Sequence, residues 1–389
     1  MFADLSALVA IDSGTANVSG VNAVQDWLEE RARAWGAAVE RWAVDDTGDQ
    51  LLARWPAGDP DQTPGPPDPA TPYPRVLLCG HADTVYPEGA AALQPLSRDE
   101  DQPGRLRGPG AADMKGGLIA ALYAVQALRE GGRMPPAGVA LAVVPDEERG
   151  SVRSEAWLRE LAAGFDIALV MEPARANGDL VTGRKGGGFW TLEVTGRSAH
   201  AGIEPEKGAS ALIQMAHHAL ALDAIAPSIE GASLVLGTLQ AGTAPNVVPE
   251  RALMTIDARA FTPDALAELV RAIEASVAHT AGRVPGTASR LKGGVNKAPM
   301  PRAEPTVHLY QVAERAAAEL GITIGECVTG GTSDANSFAD AGLAVLDGLG
   351  PVGGAMHTPE EYIEARSLVE RTALLAALVA RVGNADQEV

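Results

Sequence analysis

Four short apolar runs constrain this chain most. They are RVLLC at 75–79, VALAVV at 139–144, IALVM at 167–171 and LAVL at 343–346. Each is short enough for a strand, and none alternates apolar with polar residues. Strands buried on both faces of an α/β sheet read this way, because helices cover each face and keep water out. Between the first two runs lies GGLIAALYAVQALREGG, an amphipathic helix closed by Gly131 and Gly132. The pattern predicts a mostly parallel sheet flanked by helices. A chain of 389 residues is also too long for one ordinary core, so a second domain is expected.

Val21, Val24, Leu28 and Trp35 recur at roughly helical spacing, and the first forty residues read as a helix. Residues 56–74 hold eight prolines with Gly and Asp interleaved, a composition that reads as a mobile surface loop. From about 186 to 296 the pattern changes. FWTLEV alternates by halves, a helix follows from Ala209 to about Leu222, and strands fall near SLVLGTLQ and RALMTIDARA. A helix at 263–278 and a further short strand complete a four-stranded α+β unit. The expected division is 1–185 and 297–389 for the larger α/β domain, with 186–296 inserted into it.

Composition narrows the partners. The formal net charge of -19 would repel a polyanion, which sets nucleic acid aside. No apolar stretch reaches the length of a membrane span, and MFADLSALVAIDSG has no basic leader, so a cytoplasmic protein is expected. The two cysteines, Cys79 and Cys327, form no C-x-x-C or zinc-finger spacing, and their scarcity fits a reducing compartment. Cys79 lies inside an apolar run and reads as packed.

The polar residues that follow each buried run carry the chemistry, since ligands in open α/β sheets gather at the carboxyl ends of strands. After RVLLC come Gly80, His81, Ala82 and Asp83. After VALAVV come Pro145, Asp146, Glu147 and Glu148. After IALVM comes Glu172. Asp113 sits in the Gly-rich turn GPGAADMKGG, and His357 lies in the loop after LAVLDGLGPVGG.

Nitrogen and oxygen donors of this kind suit zinc, cobalt or manganese. One catalytic zinc takes three protein ligands, whereas two ions sharing a carboxylate would use five. On that reading His81, Asp113 and Glu172 hold one ion, and Asp113, Glu148 and His357 hold the other, with Asp113 as the bridge. Asp83, two residues past His81, can fix the imidazole tautomer. Glu147 is left without a metal, as the expected general base. Taken singly, each residue has an ordinary explanation. Adjacent glutamates are usually a solvated loop, an Asp in a Gly turn is usually an Asx turn, and His357 alone would be a surface residue. His217, His218, His279 and His308 lie on or near helices and read as surface or packing residues.

The segments GHADTV at 80–85, GPGAADMKGGLIA at 108–120, PDEERGS at 145–151, MEP at 171–173, GRSAHAG at 196–202 and GGTSDAN at 330–336, together with His357, resemble the co-catalytic zinc exopeptidases. That family includes glutamate carboxypeptidase, aminoacylases, acetylornithine deacetylase and succinyl-diaminopimelate desuccinylase. The wording looks most like the glutamate carboxypeptidase branch. The resemblance implies the same five ligands, the same base, two zinc ions per chain and a cis peptide after Asp113. It implies that the insert is a ferredoxin-like lid and homodimerisation domain. It also implies that His200 stabilises the oxyanion in the partner subunit's site. Asn246 and Arg259 would hold the substrate carboxylate, with Gly330, Gly331 and Lys185 as further candidates.

The implied reaction is hydrolysis of an amide beside a C-terminal amino acid with a free carboxylate, on a small peptide or N-acyl amino acid. A biosynthetic deacylase for acetylornithine or a succinylated diamine shares the same engine. A regulatory protein that kept the fold would show a lost ligand or a lost Glu147, and none is lost. An aminopeptidase would want acidic groups for a free amine, whereas Arg259 points to a carboxylate. Within the glutamate carboxypeptidase branch a basic residue can precede the glycine run at 330; Val328 stands there instead. A preference for C-terminal glutamate therefore does not carry over.

Overall fold

The computed structural model describes residues 1–57 and 71–384. Most of the proline-rich segment lies outside the described residues. The chain forms two compact units. One holds 1–182, 302–328 and 333–389, and the other holds 183–301 and 329–332.

The first unit is built on a six-stranded sheet. Its order is Ala38–Trp42, Gln50–Trp55, Val139–Val144, Val76–His81, Ile167–Val170 and Ala344–Leu346. The last four are parallel, and the two at the opposite edge are antiparallel. Every residue of Val76–His81, Val139–Val144 and Ile167–Val170 is buried, as the unbroken apolar runs require. Each Val or Leu so buried contributes about 1.5–3 kcal/mol. The edge pair Ala38–Trp42 and Gln50–Trp55 escapes the run pattern because charged residues interrupt it, in AVERW and QLLARW.

The first forty residues make two helices, Phe2–Val9 and Val18–Ala34, where the spacing of apolar residues suggested one. The break falls in a polar stretch whose side chains compete for the backbone. Asn17 caps the second helix by accepting the Gly20 N–H at 3.0 Å, and Asp12 accepts the N–H groups of Gly89 and Ala91, both at 2.7 Å.

Register brings the polar strand ends together. His81 pairs with Val144, and Cys79 pairs with Val170. The segments leaving these neighbouring strands therefore carry His81, Glu147, Glu148 and Glu172 to one edge. The helix Gly116–Glu130 packs beneath that edge, with Leu118, Ile119, Leu122 and Val125 buried. Its approach depends on Gly117. A Cβ there would lie 2.2 Å from the Met171 carbonyl oxygen, one residue before Glu172.

The second unit has an antiparallel sheet in the order Ser233–Ala241, Arg251–Ala260, Gly186–Thr195, Ala288–Lys297. Arg251–Ala260 alternates between buried and more exposed positions, as a strand with one covered face does. Helices Ala211–Asp223 and Pro263–Thr280 cover that face, over a core of Trp190, Leu192, Met215, Met254, Leu269 and Ile273. Among the described residues no helix is long and apolar enough to cross a membrane.

Candidate metal centre

The turn before the helix Gly116–Glu130 is non-helical at Asp113 and Met114, and the peptide bond between them is cis. Asp113 offers its two oxygens to different histidines. Oδ1 is 3.1 Å from His81 Nε2, and Oδ2 is 3.3 Å from His357 Nε2. Glu172 Oε1 lies 3.9 Å from His81 Nε2, and Glu148 Oε2 lies 3.3 Å from His357 Nε2. His357 reaches this position from a turn in which Ala355 and His357 both hold left-handed backbone, at φ 55° and 64°. Non-glycine residues adopt that conformation rarely and concentrate at functional sites when they do.

His81 Nδ1 is 2.9 Å from the carbonyl oxygen of Asp83 and 3.4 Å from its Oδ1. The carbonyl is thus the nearer partner, where the sequence pointed to the carboxylate. Either acceptor keeps the ring proton on Nδ1 and leaves Nε2 free to coordinate. The Asp83 carboxylate also accepts the N–H of Glu147 at 3.1 Å and of Glu148 at 3.2 Å, and the Thr15 hydroxyl at 2.6 Å. One buried carboxylate therefore ties the His81 strand to the loop that carries both glutamates.

Charge and geometry fit bound cations. Burial alone would depress the His81 imidazolium, but the Asp113 and Asp83 carboxylates outweigh it and hold the group well above its ordinary value. Hydrogen bonds to Asp113 and Glu148 push His357 up to about 10. Burial resists ionisation of Asp113, yet the two histidines hold its carboxyl below the usual range. The pocket thus draws positive charge from two directions. Glu148 Oε1 is buried without a hydrogen-bond partner among the described residues. An orphaned buried carboxylate oxygen is costly unless a cation sits beside it.

Two donor sets have their atoms within 4.8 Å of one another, His81 with Asp113 and Glu148, and His81 with Glu147 and Glu172. They make a binuclear metal centre, and its donor chemistry suits zinc. Glu147 is near enough to be counted as a ligand by proximity. Asp113 differs from the other donors in turning one oxygen toward each histidine. Burial, and then the Glu172 charge, push the Glu147 carboxyl well above the usual range.

The remaining candidates belong to the second unit. His200 is exposed, and its Nδ1 accepts the Gly202 N–H at 3.1 Å, so the proton sits on Nε2 as a free donor. A bridge between His200 and Val247, with Ala201 N–H donating to the Asn246 carbonyl at 3.0 Å, brings Asn246 alongside. Arg259 forms a separate group. Its Nη1 donates to the Gly330 carbonyl at 3.1 Å, and Lys185 N–H donates to the Thr329 carbonyl at 3.0 Å. The Gly331 carbonyl accepts from Arg184 Nη1 at 3.1 Å.

The rest of the Arg259 fork is occupied. Nε and Nη2 donate to the two oxygens of Asp257 at 2.8 and 2.7 Å. Asp257 was not among the sequence candidates, although two residues apart on a strand share a face, which is the signal that could have found it. His217 and His308 are half-buried and His279 is exposed, while His218 is buried among Gln214 and Ser289.

A cavity of about 990 Å³ opens on the metal side in the first unit. Thr15, Asn17, Asn22, Tyr86 and Arg149 line it together with Glu148. Its size is at the upper end of ordinary small-molecule pockets.

A sequence model of peptidase family M20/M25/M40 matches residues 77–381. The chain is 26% identical over 391 residues to carboxypeptidase G2 of a Pseudomonas species, covering 97% of this chain and 88% of that protein. It is 32% identical over 326 residues to succinyl-diaminopimelate desuccinylase of Rhodospirillum centenum, covering 79% and 81%. Among solved structures it resembles aminopeptidase PepT of Bacillus cereus, with a TM-score of 0.80 at 23% identity, covering 98% of this chain and 97% of that one.

Proposed function

This chain belongs to peptidase family M20/M25/M40, and on that premise we propose that it is a two-metal amidohydrolase acting on N-acylated amino acids with a free carboxylate. The observation that carries the proposal is the Asp113 carboxylate, with one oxygen toward His81 and the other toward His357. The sequence wording leaned toward a carboxypeptidase. The identity to desuccinylases, about 30% in each, favours a deacylase as the finer reading. A carboxypeptidase is the second reading, supported by the match to carboxypeptidase G2 along nearly the whole chain.

In this reading His81, Asp113 and Glu172 hold one ion, and Asp113, Glu148 and His357 hold the other. Bound metal supplies Lewis-acid polarisation of the scissile carbonyl and of water. Glu147 is half-buried and is spared from coordination. It takes the proton from the attacking water and passes it to the leaving amine. His200 donates Nε2–H to the developing oxyanion. Arg259, helped by Asn246 and the peptides of Gly330 and Gly331, holds the substrate carboxylate. The cavity beside Glu148, lined by hydroxyl and amide side chains, receives the acyl group.

The second unit acts as a lid and dimerisation unit. Its βαββαβ order supports a ferredoxin-like lid. The edge strand Ser233–Ala241 exposes Val235 and Leu239, and the helix Ala211–Asp223 exposes Leu212, Ile213 and Leu220, which supports pairing with a second copy. His200 then serves the partner's site, and a fully active monomer would contradict this. Cysteine is scarce in the chain and Cys79 is buried within a strand, which supports a reducing, cytoplasmic setting.

A hydrolysis panel on zinc-loaded protein tests the function. It compares N-acetyl, N-succinyl and N-benzoyl amino acids with dipeptides of varied C-terminal residue. Preferred cleavage of N-acyl amino acids supports the deacylase, preferred cleavage of dipeptides supports the carboxypeptidase, and cleavage of neither overturns both.

A further inference from the structure

Glu361 stands four residues after His357 and is only 1% exposed. Its Oε1 accepts the backbone N–H of Ala112 at 2.7 Å and of Asp113 at 3.0 Å. Its Oε2 accepts the N–H of Gly110 at 3.2 Å and lies 2.5 Å from the Tyr86 hydroxyl. That hydroxyl is also 2.8 Å from the carbonyl oxygen of Thr358, next to His357. The Glu361 carbonyl in turn accepts the Gly108 N–H at 3.2 Å. A single residue of the His357 loop therefore grips the Asp113 turn at four backbone amides.

A buried carboxylate is an expensive way to fill space. It is well suited to gathering N–H groups that would otherwise be unpaired in a tight turn. What it gathers here is the backbone around Asp113, and it does so from the segment that delivers His357. We propose that Glu361, with Tyr86 behind it, is a positioning residue of the metal centre. It fixes the Asp113 carboxylate relative to His357, so that the two residues can share one ion. The proposal rests on the binuclear reading of the site.

Supporting groups around metal ligands typically matter by about 10- to 100-fold in metal affinity. The test is a zinc titration of metal-stripped protein against a chromophoric chelator, with wild type, Glu361→Ala, Glu361→Gln and Tyr86→Phe. Glu361→Ala should weaken zinc binding by about 10- to 100-fold, with the event that needs both Asp113 and His357 losing the most. Glu361→Gln keeps one oxygen for the Ala112 and Asp113 amides and should recover part of the loss. Thermal unfolding of the metal-stripped proteins is the control. Two unchanged events would overturn the proposal. So would equal weakening of both with a matching loss of stability in the stripped protein, which is what a general structural role produces. If Glu361→Ala does not fold, Tyr86→Phe removes only the hydroxyl and carries the test. Zinc binding that weakens most in one event supports the proposal, and two unchanged events overturn it. A wild type that binds fewer than two zinc ions would instead contradict the binuclear reading itself.

Discussion

His357 Nε2 stands 3.3 Å from Asp113 Oδ2, while the other oxygen of that carboxylate faces His81. In the reading proposed above, Asp113 is the residue that both ions share. Asp113→Ala should lose both metals after dialysis, whereas His357→Ala should keep one. Elemental analysis per chain separates the two outcomes. Equal retention in both variants would remove Asp113 from the bridging position.

Glu147 should matter to rate and not to metal. Its backbone N–H is held by Asp83 whatever its side chain, so Glu147→Gln should fold and load normally. Loss of a general base typically costs about 100- to 10,000-fold. Steady-state rates on protein with confirmed metal content give the comparison. A variant within a few-fold of wild type would show that Glu147 is not the base.

Arg259 is held by Asp257 through Nε and Nη2 and by the Gly330 carbonyl through Nη1, which leaves one N–H on each terminal nitrogen for a ligand. Substrates with an amidated carboxyl should be poor, and Arg259→Ala should no longer distinguish acid from amide. A hydrogen bond to a charged group is worth about 1.5–3 kcal/mol, or roughly 10- to 150-fold in kcat/KM. Asp257→Asn should lower kcat/KM less than Arg259→Ala, because the arginine remains. Equal cleavage of acid and amide by wild type would contradict the carboxylate clamp.

His218 should make the second unit acid-sensitive. Burial, helped by neighbouring His217, holds its imidazolium below the ordinary value of 6.5. Nε2 is engaged by Gln214 and Ser289, and Nδ1 has no partner among the described residues. Above the ordinary value neither state is protonated there and stability is full. As pH falls below it the unfolded chain takes up a proton that the folded chain resists, so stability declines. Thermal unfolding from pH 7.5 to 5 should show a smaller acid loss in His218→Gln than in wild type. Parallel profiles would exclude His218 as the source.

The metal site was legible because a parallel sheet sends its buried strands out along one edge. His81, Glu147, Glu148 and Glu172 each follow an apolar run, so reading the runs was enough to find them. Asp113 and His357 came from loops, where a Gly-rich turn and a single histidine gave weaker signals. Glu361 and Thr15 were invisible, because their work is to hold backbone groups and another carboxylate, which leaves no periodic mark. The antiparallel pair at the sheet edge was missed for a similar reason. Arg41, Glu40 and Arg54 break its apolar pattern, while the pairing that makes it a strand lies in backbone hydrogen bonds. The break between the first two helices turned on the side chains of Asp12 and Asn17, which local spacing of apolar residues does not report.

We propose that two ions, held through Asp113, make this chain an amide hydrolase. Zinc titrated into metal-stripped protein, with hydrolysis of an N-acyl amino acid followed at each step, tests it most directly. Hydrolysis should level off at two zinc ions per chain, with Asp113→Ala inactive throughout. Full activity at one ion per chain, or hydrolysis in Asp113→Ala comparable to wild type, would contradict the proposal.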